Sequence, residues 1–350
     1  MGEIKRVYMD HAGTTPVHPE VLEAMKPFFS NKFGNASSIH SFGREAAEAL
    51  NASRDTVAKF LNAKENEIIF TSGGTEADNL ALKGVAFANK NKGKHIITSK
   101  IEHHGVLHPC EWLEKQGFSV TYLPVDKYGL VNLEDMENAI RKDTILVSIM
   151  HANNEIGTIE PIEEIGKICK DHDVYFHTDA VQTFGKIPID ISNIDMLSIS
   201  AHKLYGPKGV GALFLRNDTK IESIIHGGGQ ENKMRSGTEN VVSIVGLAKA
   251  TEIAKKEMSK EAEREIKMRD RIIKGILEIP DCWLNGHPEK RLPANAHFSF
   301  RFIEGESLVL YLDMNGIAAS TGSACSTKSL KPSHVLTAIG LSHEDAHGSL

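Results

Sequence analysis

The chain has 350 residues, 41% of them hydrophobic and 25% charged, with a formal net charge of -6 at pH 7. That length suits about two domains and that composition a globular core, while the acidic balance offers no basic field for nucleic acid or an anionic membrane. The N-terminus, Met1-Gly-Glu-Ile-Lys-Arg6, lacks an apolar signal core, and no apolar run is long enough to span a bilayer. The four cysteines, Cys110, Cys169, Cys282 and Cys325, are scattered without a C-x-x-C pair, which suits a reduced, cytoplasmic setting better than a disulfide framework or a zinc knuckle.

In chain order, helical patterns are expected at Pro19–Phe29 and Gly43–Leu61, and a strand at Glu67–Thr71. Ser72-Gly73-Gly74-Thr75 then leads into a helix from Glu76 to about Asn89. Further strands are expected at His95–Ser99, Ser119–Leu123, Thr144–Ile149, Val174–His177, Met196–Ile199 and Gly211–Leu215. Helices fall between them at Val106–Gln116, Leu133–Arg141 and Ile162–Asp171, with another at Val241–Met258. Several of these strands are apolar on both faces, as in a parallel sheet covered by helices on both sides. From Lys255 to Lys274 the pattern becomes a mixed-charge helix, followed by a strand at Ala296–Phe302 and helices at Ser307–Met314 and Pro332–Ile339. The expected division is a large domain over residues 15–255 and a small α+β domain made of residues 1–14 and 256–350.

Lys203 stands at the end of the apolar Ile194–Ile199 run, after Ser200-Ala-His202 and before a Gly-Pro turn. An ammonium at a buried strand end must be solvated, paired or neutralised. A Schiff base with pyridoxal phosphate neutralises it, and such a site needs a carboxylate for the pyridinium nitrogen. Asp179, ending another apolar run in His177-Thr-Asp179-Ala-Val-Gln182, is that candidate; a loop lysine and a helix-capping acid are the alternatives.

Strand, Gly73-Gly74-Thr75, then helix is a phosphate-cradle order, because glycine admits close backbone approach and the helix start presents free N–H groups. An ordinary turn with Thr75 as cap is the other reading. Glu102-His103-His104 puts imidazole at a strand end, suited to ring stacking and proton transfer. With His108 these histidines also admit a zinc site, although the H-E-x-x-H glutamate is absent. Asn153-Asn154-Glu155 is a turn whose amide is able to bond a phenolic oxygen. His226-Gly-Gly-Gly-Gln230-Glu231 and Arg235-Ser-Gly-Thr238 form a glycine-rich loop with its own cation and hydroxyl, read as a phosphate approach or as interdomain slack. Ser323-Ala-Cys325-Ser-Thr sets a thiol among small polar residues, an environment for a nucleophile or carrier.

Together and in order these segments resemble the class V, fold type I pyridoxal phosphate enzymes, and within them the cysteine desulfurases of the NifS/IscS type. The resemblance rests on Tyr8-Met-Asp-His-Ala-Gly-Thr-Thr-Pro16, Gly34-Asn-Ala-Ser-Ser-Ile-His40, Thr71-Ser-Gly-Gly-Thr-Glu-Ala-Asp-Asn79 and His177-Thr-Asp-Ala-Val-Gln182. It continues through Ser200-Ala-His-Lys203, Gly227-Gly-Gly-Gln-Glu231, Arg235-Ser-Gly-Thr238 and Gly322-Ser-Ala-Cys325. It implies an α/β fold whose large domain holds a mainly parallel, seven-stranded sheet covered by helices. It further implies that Lys203 carries the cofactor as a Schiff base, with Asp179 on the pyridinium nitrogen. Gln182 and Asn154 would contact the phenolic oxygen or the substrate. Gly74, Thr75, Ser200 and His202 would hold the phosphate, with Thr238 reaching it from the other subunit of a homodimer. His104 would stack on the ring and move protons. Cys325 would take sulfur from L-cysteine as a persulfide, releasing L-alanine, and pass it to an iron–sulfur scaffold or another acceptor protein. No resident metal is implied, although Cys325 could ligate an iron–sulfur cluster during transfer.

In that family an arginine for the substrate carboxylate follows closely on the segment resembling His347-Gly-Ser-Leu350. The 350 residues stop before it, so the resemblance implies weak desulfurase turnover for this form. An aminotransferase or a selenocysteine or cystine lyase would keep the lysine and acid without needing Cys325. A sulfur-transfer scaffold, docking an assembly protein through the Cys325 region without turnover, is the non-enzyme alternative.

Overall fold

Successive residues of a strand face opposite sides of a sheet, and in β2 (Ile68–Thr71) of the computed structural model both sides are dry. Ile68 and Phe70 pack into one apolar cluster and Ile69 into another, and all three are buried. The structure describes residues 5–322 and 332–350. Upstream of β2 lies the short β1 (Val7–Tyr8). Downstream come β3 (His95–Ser99), β4 (Ser119–Leu123), β5 (Thr144–Ser148), β6 (Tyr175–Asp179), β7 (Met196–Ser200) and β8 (Gly211–Leu215). Beyond them are β9 (Cys282–Asn285), β10 (His297–Phe300) and β11 (Ile317–Ala318).

A seven-stranded sheet runs in the order β2-β8-β7-β6-β5-β3-β4. Only β8 is antiparallel to its neighbours; the other pairs are parallel, with registers such as His177 to Met196. Helices Gly74–Asn89 and His104–Lys115 cover one face, and Ser41–Leu61, Ile162–Asp171 and the first third of Val241–Ile276 cover the other. This is the expected mainly parallel α/β sheet. All its parallel strands point their carboxyl ends the same way, and that edge is where a ligand crevice forms in such sheets.

The other end of the molecule is smaller. β9 and β10 pair antiparallel, and β1 pairs parallel with β11, tying the two ends of the chain into one small sheet. Leu350 exchanges two backbone hydrogen bonds with Phe298, both N–H to O, at 2.9 and 2.8 Å. Among the described residues no helix is long and apolar enough to cross a membrane.

Two elements differ from the sequence pattern. The helix expected over Pro19–Phe29 divides into Pro19–Met25 and Pro27–Ser30, because Pro27 has no N–H for the carbonyl four residues back. The helices expected on either side of Lys255 are one continuous helix, Val241–Ile276. Its early residues Ile244, Leu247 and Ala250 are buried. The change to mixed charge marks where the helix leaves the core, and neither proline nor glycine interrupts it between Leu247 and Lys274.

Burial also sets a pH dependence. The carboxyls of Glu102, Glu155 and Glu160 are pushed up to about 8, chiefly by burial. An acid whose folded pKa exceeds its unfolded value stabilises the fold below the unfolded value and loses that contribution as pH rises through the folded one. Buried histidines act in the opposite sense, and only below their unfolded value of about 6.5. Burial holds His95 down at about 4 and His177 at about 3. Between pH ~6.5 and ~8 the three carboxyls are opposed by the single buried Lys186, which burial lowers to about 8, and outnumber it. Thermal unfolding is therefore expected to give a lower Tm at the upper limit than at the lower. A Tm that holds or rises over that interval would mean these carboxyls reach water.

Candidate active site

Asp179 closes β6, Ser200 closes β7, Gly73 and Gly74 follow β2, and Glu102-His103 follows β3. Parallel strand ends thus deliver four of the sequence-expected segments to one edge. Lys203 lies in the 3-10 turn Ala201–Lys203 just past β7. Its Nζ donates to the carbonyls of Ala12 and, at 2.8 Å, Gly13. The N-terminal segment is strapped across this turn. Thr15 N and Oγ1 both donate to His202 O, at 3.0 and 2.9 Å, and Tyr205 N donates back to Thr15 Oγ1 at 2.8 Å. Gln182, buried, donates its Nε2 to the same Ala12 carbonyl at 3.1 Å. Lysine and glutamine therefore share one backbone anchor.

The acid is buried and not alone. Asp179 Oδ1 accepts the Val181 N–H at 2.9 Å, and burial raises its carboxyl to about 6 against the downward pull of that bond and of Lys203. Asp78, on the Gly74–Asn89 helix, is buried beside it and is pushed well up by burial and then by the Asp179 charge. Of two buried carboxyls, the one nearer the lysine keeps the charge and the other keeps the proton. Lys203 acts directly on Asp179, which assigns the anion to Asp179.

His103 joins this pair: one donor-type atom each of Asp78, His103 and Asp179 lies within 4.8 Å of the others. Burial, then the nearby His104 and Lys203, holds its imidazole down at about 4, so the ring is neutral near pH 7. Its Nδ1 accepts the Gly105 N–H at 3.0 Å, capping the His104–Lys115 helix. An acceptor Nδ1 puts the ring proton on Nε2. The helix cap thereby chooses the tautomer.

A cavity of about 390 Å³ opens beside this cluster, lined among others by Thr14, Gly73, Gly74, Thr75, Ser200 and His202. No side chain caps the Gly74–Asn89 helix that starts in its wall, so the first N–H groups face the cavity with the positive end of the helix dipole. Gly73 has φ +154°, which a side chain would strain, and a Cβ at Gly74 would stand 2.6 Å from Val181 Cγ2. The paired glycines let backbone replace side chains there. His202 Nδ1 lies 3.0 Å from Thr14 Oγ1, and burial holds its imidazole at about 4.

The aminotransferase class-V pattern matches residues 7–343, which include every site residue named above. The chain belongs to that family. It is 60% identical to the cysteine desulfurase IscS of Dictyoglomus turgidum, over 99% of this chain and 89% of that one. It is 54% identical to cysteine desulfurase IscS 1 of Archaeoglobus fulgidus, over 98% and 90%. A solved NifS-like protein superposes with TM-score 0.93 at 42% identity, covering 98% of this chain and 92% of that one. SspA in complex with cysteine superposes with TM-score 0.86 at 41% identity, covering 98% and 96%.

Within this class-V frame the structure gathers Asp179, Gln182, Ser200, His202, Lys203, Gly74 and Thr75 at one edge. His104 is placed elsewhere. Its ring stacks on His108 at 4.8 Å and lies 4.9 Å from His334. His103, not His104, enters the carboxylate cluster, because the helix begins at His104 and the capping residue alone bends back over the strand end. The zinc set His103, His104 and His108 does not converge either; among the described residues only Asp78, His103 and Asp179 bring three ligand-type atoms together. Asn154 is half-buried, while its neighbour Asn153 builds the turn, accepting from Glu155 N and Ile156 N at 2.9 and 3.0 Å. Thr238 is exposed at the far end of the glycine-rich loop. That loop is no slack linker. Arg54 grips the buried Glu231 with bonds of 2.7 and 2.6 Å, and Arg235 holds Glu76 at 2.8 Å. Cys325 lies outside the described residues.

The sequence pattern passed over Asp78 and the Ala12 and Gly13 carbonyls, and it gave the cofactor role to His104 rather than His103. The tripeptide Glu102-His103-His104 carried the signal for an imidazole but not for which one. A backbone carbonyl leaves no residue-type signal at all.

Proposed function

We propose that the chain is a pyridoxal phosphate-dependent cysteine desulfurase that moves sulfur from L-cysteine to Cys325 and releases L-alanine. The observation that carries this is the buried Asp179 on which Lys203 acts, at the same sheet edge as an uncapped helix start walled by Gly73 and Gly74. The donor set fits the cofactor at both ends: backbone N–H groups, Thr75, Ser200 and His202 for a phosphate, and an anionic carboxylate for a protonated ring nitrogen. Bound there, pyridoxal phosphate supplies an aldehyde for amines and a ring that withdraws electrons from the substrate Cα. Relatives at 60% identity carry the name cysteine desulfurase, and a solved neighbour holds cysteine, which favours cysteine as substrate.

Each residue then has a task. Lys203 would hold the aldehyde through its amine. Asp179 would keep the ring nitrogen protonated. Gln182 fixes the Ala12 carbonyl against Lys203, and Gln182 and Asn154 would contact the phenolic oxygen or the substrate. We give His103 the task that the resemblance laid on His104: its neutral ring, set beside Asp78 and Asp179, would face the cofactor and handle protons through Nε2. The Cys325 thiolate attacks the substrate sulfur; an S–S bond forms as the Cβ–S bond breaks, and Cβ gains a proton to give alanine. Cys110 and Cys169 are unsuited to that attack, since burial pushes both thiols far up. Thr238, exposed on its pinned loop, is the residue we place against the phosphate site of a second copy in a homodimer. The persulfide sulfur passes to an acceptor protein, for which an iron–sulfur scaffold is our proposal.

Cys325→Ala is the deciding variant. It should retain cofactor absorbance yet lose alanine release by at least about a hundred-fold, and wild-type protein treated with L-cysteine should carry one added sulfur on the Cys325 peptide by mass spectrometry. Undiminished alanine release from the variant would favour a lyase or transaminase instead.

A further inference from the structure

The Asn154-Glu155 turn carries a carboxyl that the proposed chemistry does not use. Glu155 is mounted firmly, with its N–H on Asn153 Oδ1 at 2.9 Å and its carbonyl accepting from Asn295 Nδ2 at 2.8 Å. Its Oε2 accepts from Ser333 Oγ at 2.5 Å. The same Ser333 oxygen caps the His334–Ala338 helix, accepting from Val335 N at 3.1 Å and Leu336 N at 3.3 Å. On the other side of Oε2 lies Gly322, where a Cβ would stand 2.6 Å from that oxygen and 2.9 Å from His297 Nε2. His297 is buried, with Nδ1 3.0 Å from Asn285 Nδ2 and Nε2 lacking a hydrogen-bond partner. One carboxyl oxygen therefore bonds the chain on one side of Cys325 and fills the space a side chain would need on the other.

We infer that Glu155 is a positioning residue for sulfur transfer, clasping through Oε2 the two flanks, Gly322 and Ser333, of the segment that carries Cys325. The inference rests on the reading of Cys325 as sulfur acceptor. Two geometric features support it beyond proximity. Gly322 admits no side chain without displacing the carboxyl, so the approach is close by construction. Ser333 spends its only proton on Glu155 while its lone pairs start the next helix, so losing Glu155 disturbs the cap and the flank together. Burial keeps the carboxyl uncharged near neutral pH, so the clasp introduces no unpaired charge. Its action is on where the thiol-bearing segment begins and ends, whereas Lys203, Asp179 and the Gly73-Gly74 turn, at other strand ends, would anchor the cofactor.

The test measures alanine release and sulfur on Cys325 for wild type, Glu155→Ala, Glu155→Gln and Cys325→Ala, each saturated with pyridoxal phosphate. Glu155→Ala is expected to lower kcat about ten-fold with KM for L-cysteine and the cofactor absorbance near wild type. Glu155→Gln should restore kcat, because an amide oxygen still accepts the Ser333 hydroxyl. If Glu155→Ala does not fold, Gly322→Ala decides. It should slow sulfur transfer in the wild-type background, where the new methyl meets Oε2, and Gly322→Ser should slow it further. Wild-type kcat and sulfur loading in Glu155→Ala would overturn the inference, as would unhindered transfer in Gly322→Ala or a Glu155→Gln as impaired as the alanine variant. Alanine release that survives in Cys325→Ala would instead overturn the sulfur-acceptor reading on which the inference stands.

Discussion

Lys203→Ala should leave a folded protein that no longer retains pyridoxal phosphate through borohydride reduction and releases alanine at least about a thousand-fold more slowly, or ~4 kcal/mol of barrier. The size follows from the site. Lys203 is the cation that acts on Asp179, and its Nζ is held by the Ala12 and Gly13 carbonyls in line with the strand ends. Removing it leaves two carbonyls without that donor, a stability loss of about 1–3 kcal/mol that the large two-sided core should tolerate. Lys203→Arg separates charge from chemistry. It preserves the positive charge for Asp179 but has no amine for an aldehyde, so it should stabilise the fold relative to the alanine variant while remaining inactive. Cofactor-linked peptide at Lys203 after reduction is the positive control, and its appearance on Lys186 or another lysine would reassign the anchor.

His103→Ala should lower kcat by about a hundred-fold or more, within the range of general acid–base residues, whereas His104→Ala should stay within about three-fold of wild type. The two imidazoles are adjacent in sequence but face different company. His103 sits with Asp78 and Asp179, while His104 packs on His108 and His334. Because His103 also caps a helix, His103→Asn is the informative companion. It keeps an acceptor for the Gly105 N–H while removing the Nε2 proton, so it should recover stability and not activity. A reversed result, with His104 essential and His103 dispensable, would return the role to the residue that the resemblance named.

Much of the architecture was legible because it rests on local chemistry. Strands apolar on both faces, such as Ile96-Ile97 and Leu146-Val147, predict a covered parallel sheet, and the structure buries these residues completely. The Gly73-Gly74-Thr75 turn announced itself, since the need for a side-chain-free helix start is written in residue type. The continuity of the Val241–Ile276 helix was not legible, because the shift to charge at Lys255 looks the same whether a helix ends or leaves the core.

For the site, residue type by itself determined that the chain owns a strand-end lysine, an acid on another strand, a glycine cradle and a thiol among small residues. Those are statements about chemistry that side chains carry wherever they lie. Which of two adjacent histidines faces the acid was decided only by the tertiary structure, because a helix cap turns one ring inward and sends the next outward. The same holds for the second carboxylate at Asp78 and for the backbone carbonyls that hold Lys203. It holds again for the Glu155 oxygen that bonds Ser333 and fills the space beside Gly322. Each is a meeting of segments far apart in the chain, and burial at that meeting point, not residue type, sets the protonation on which the chemistry depends.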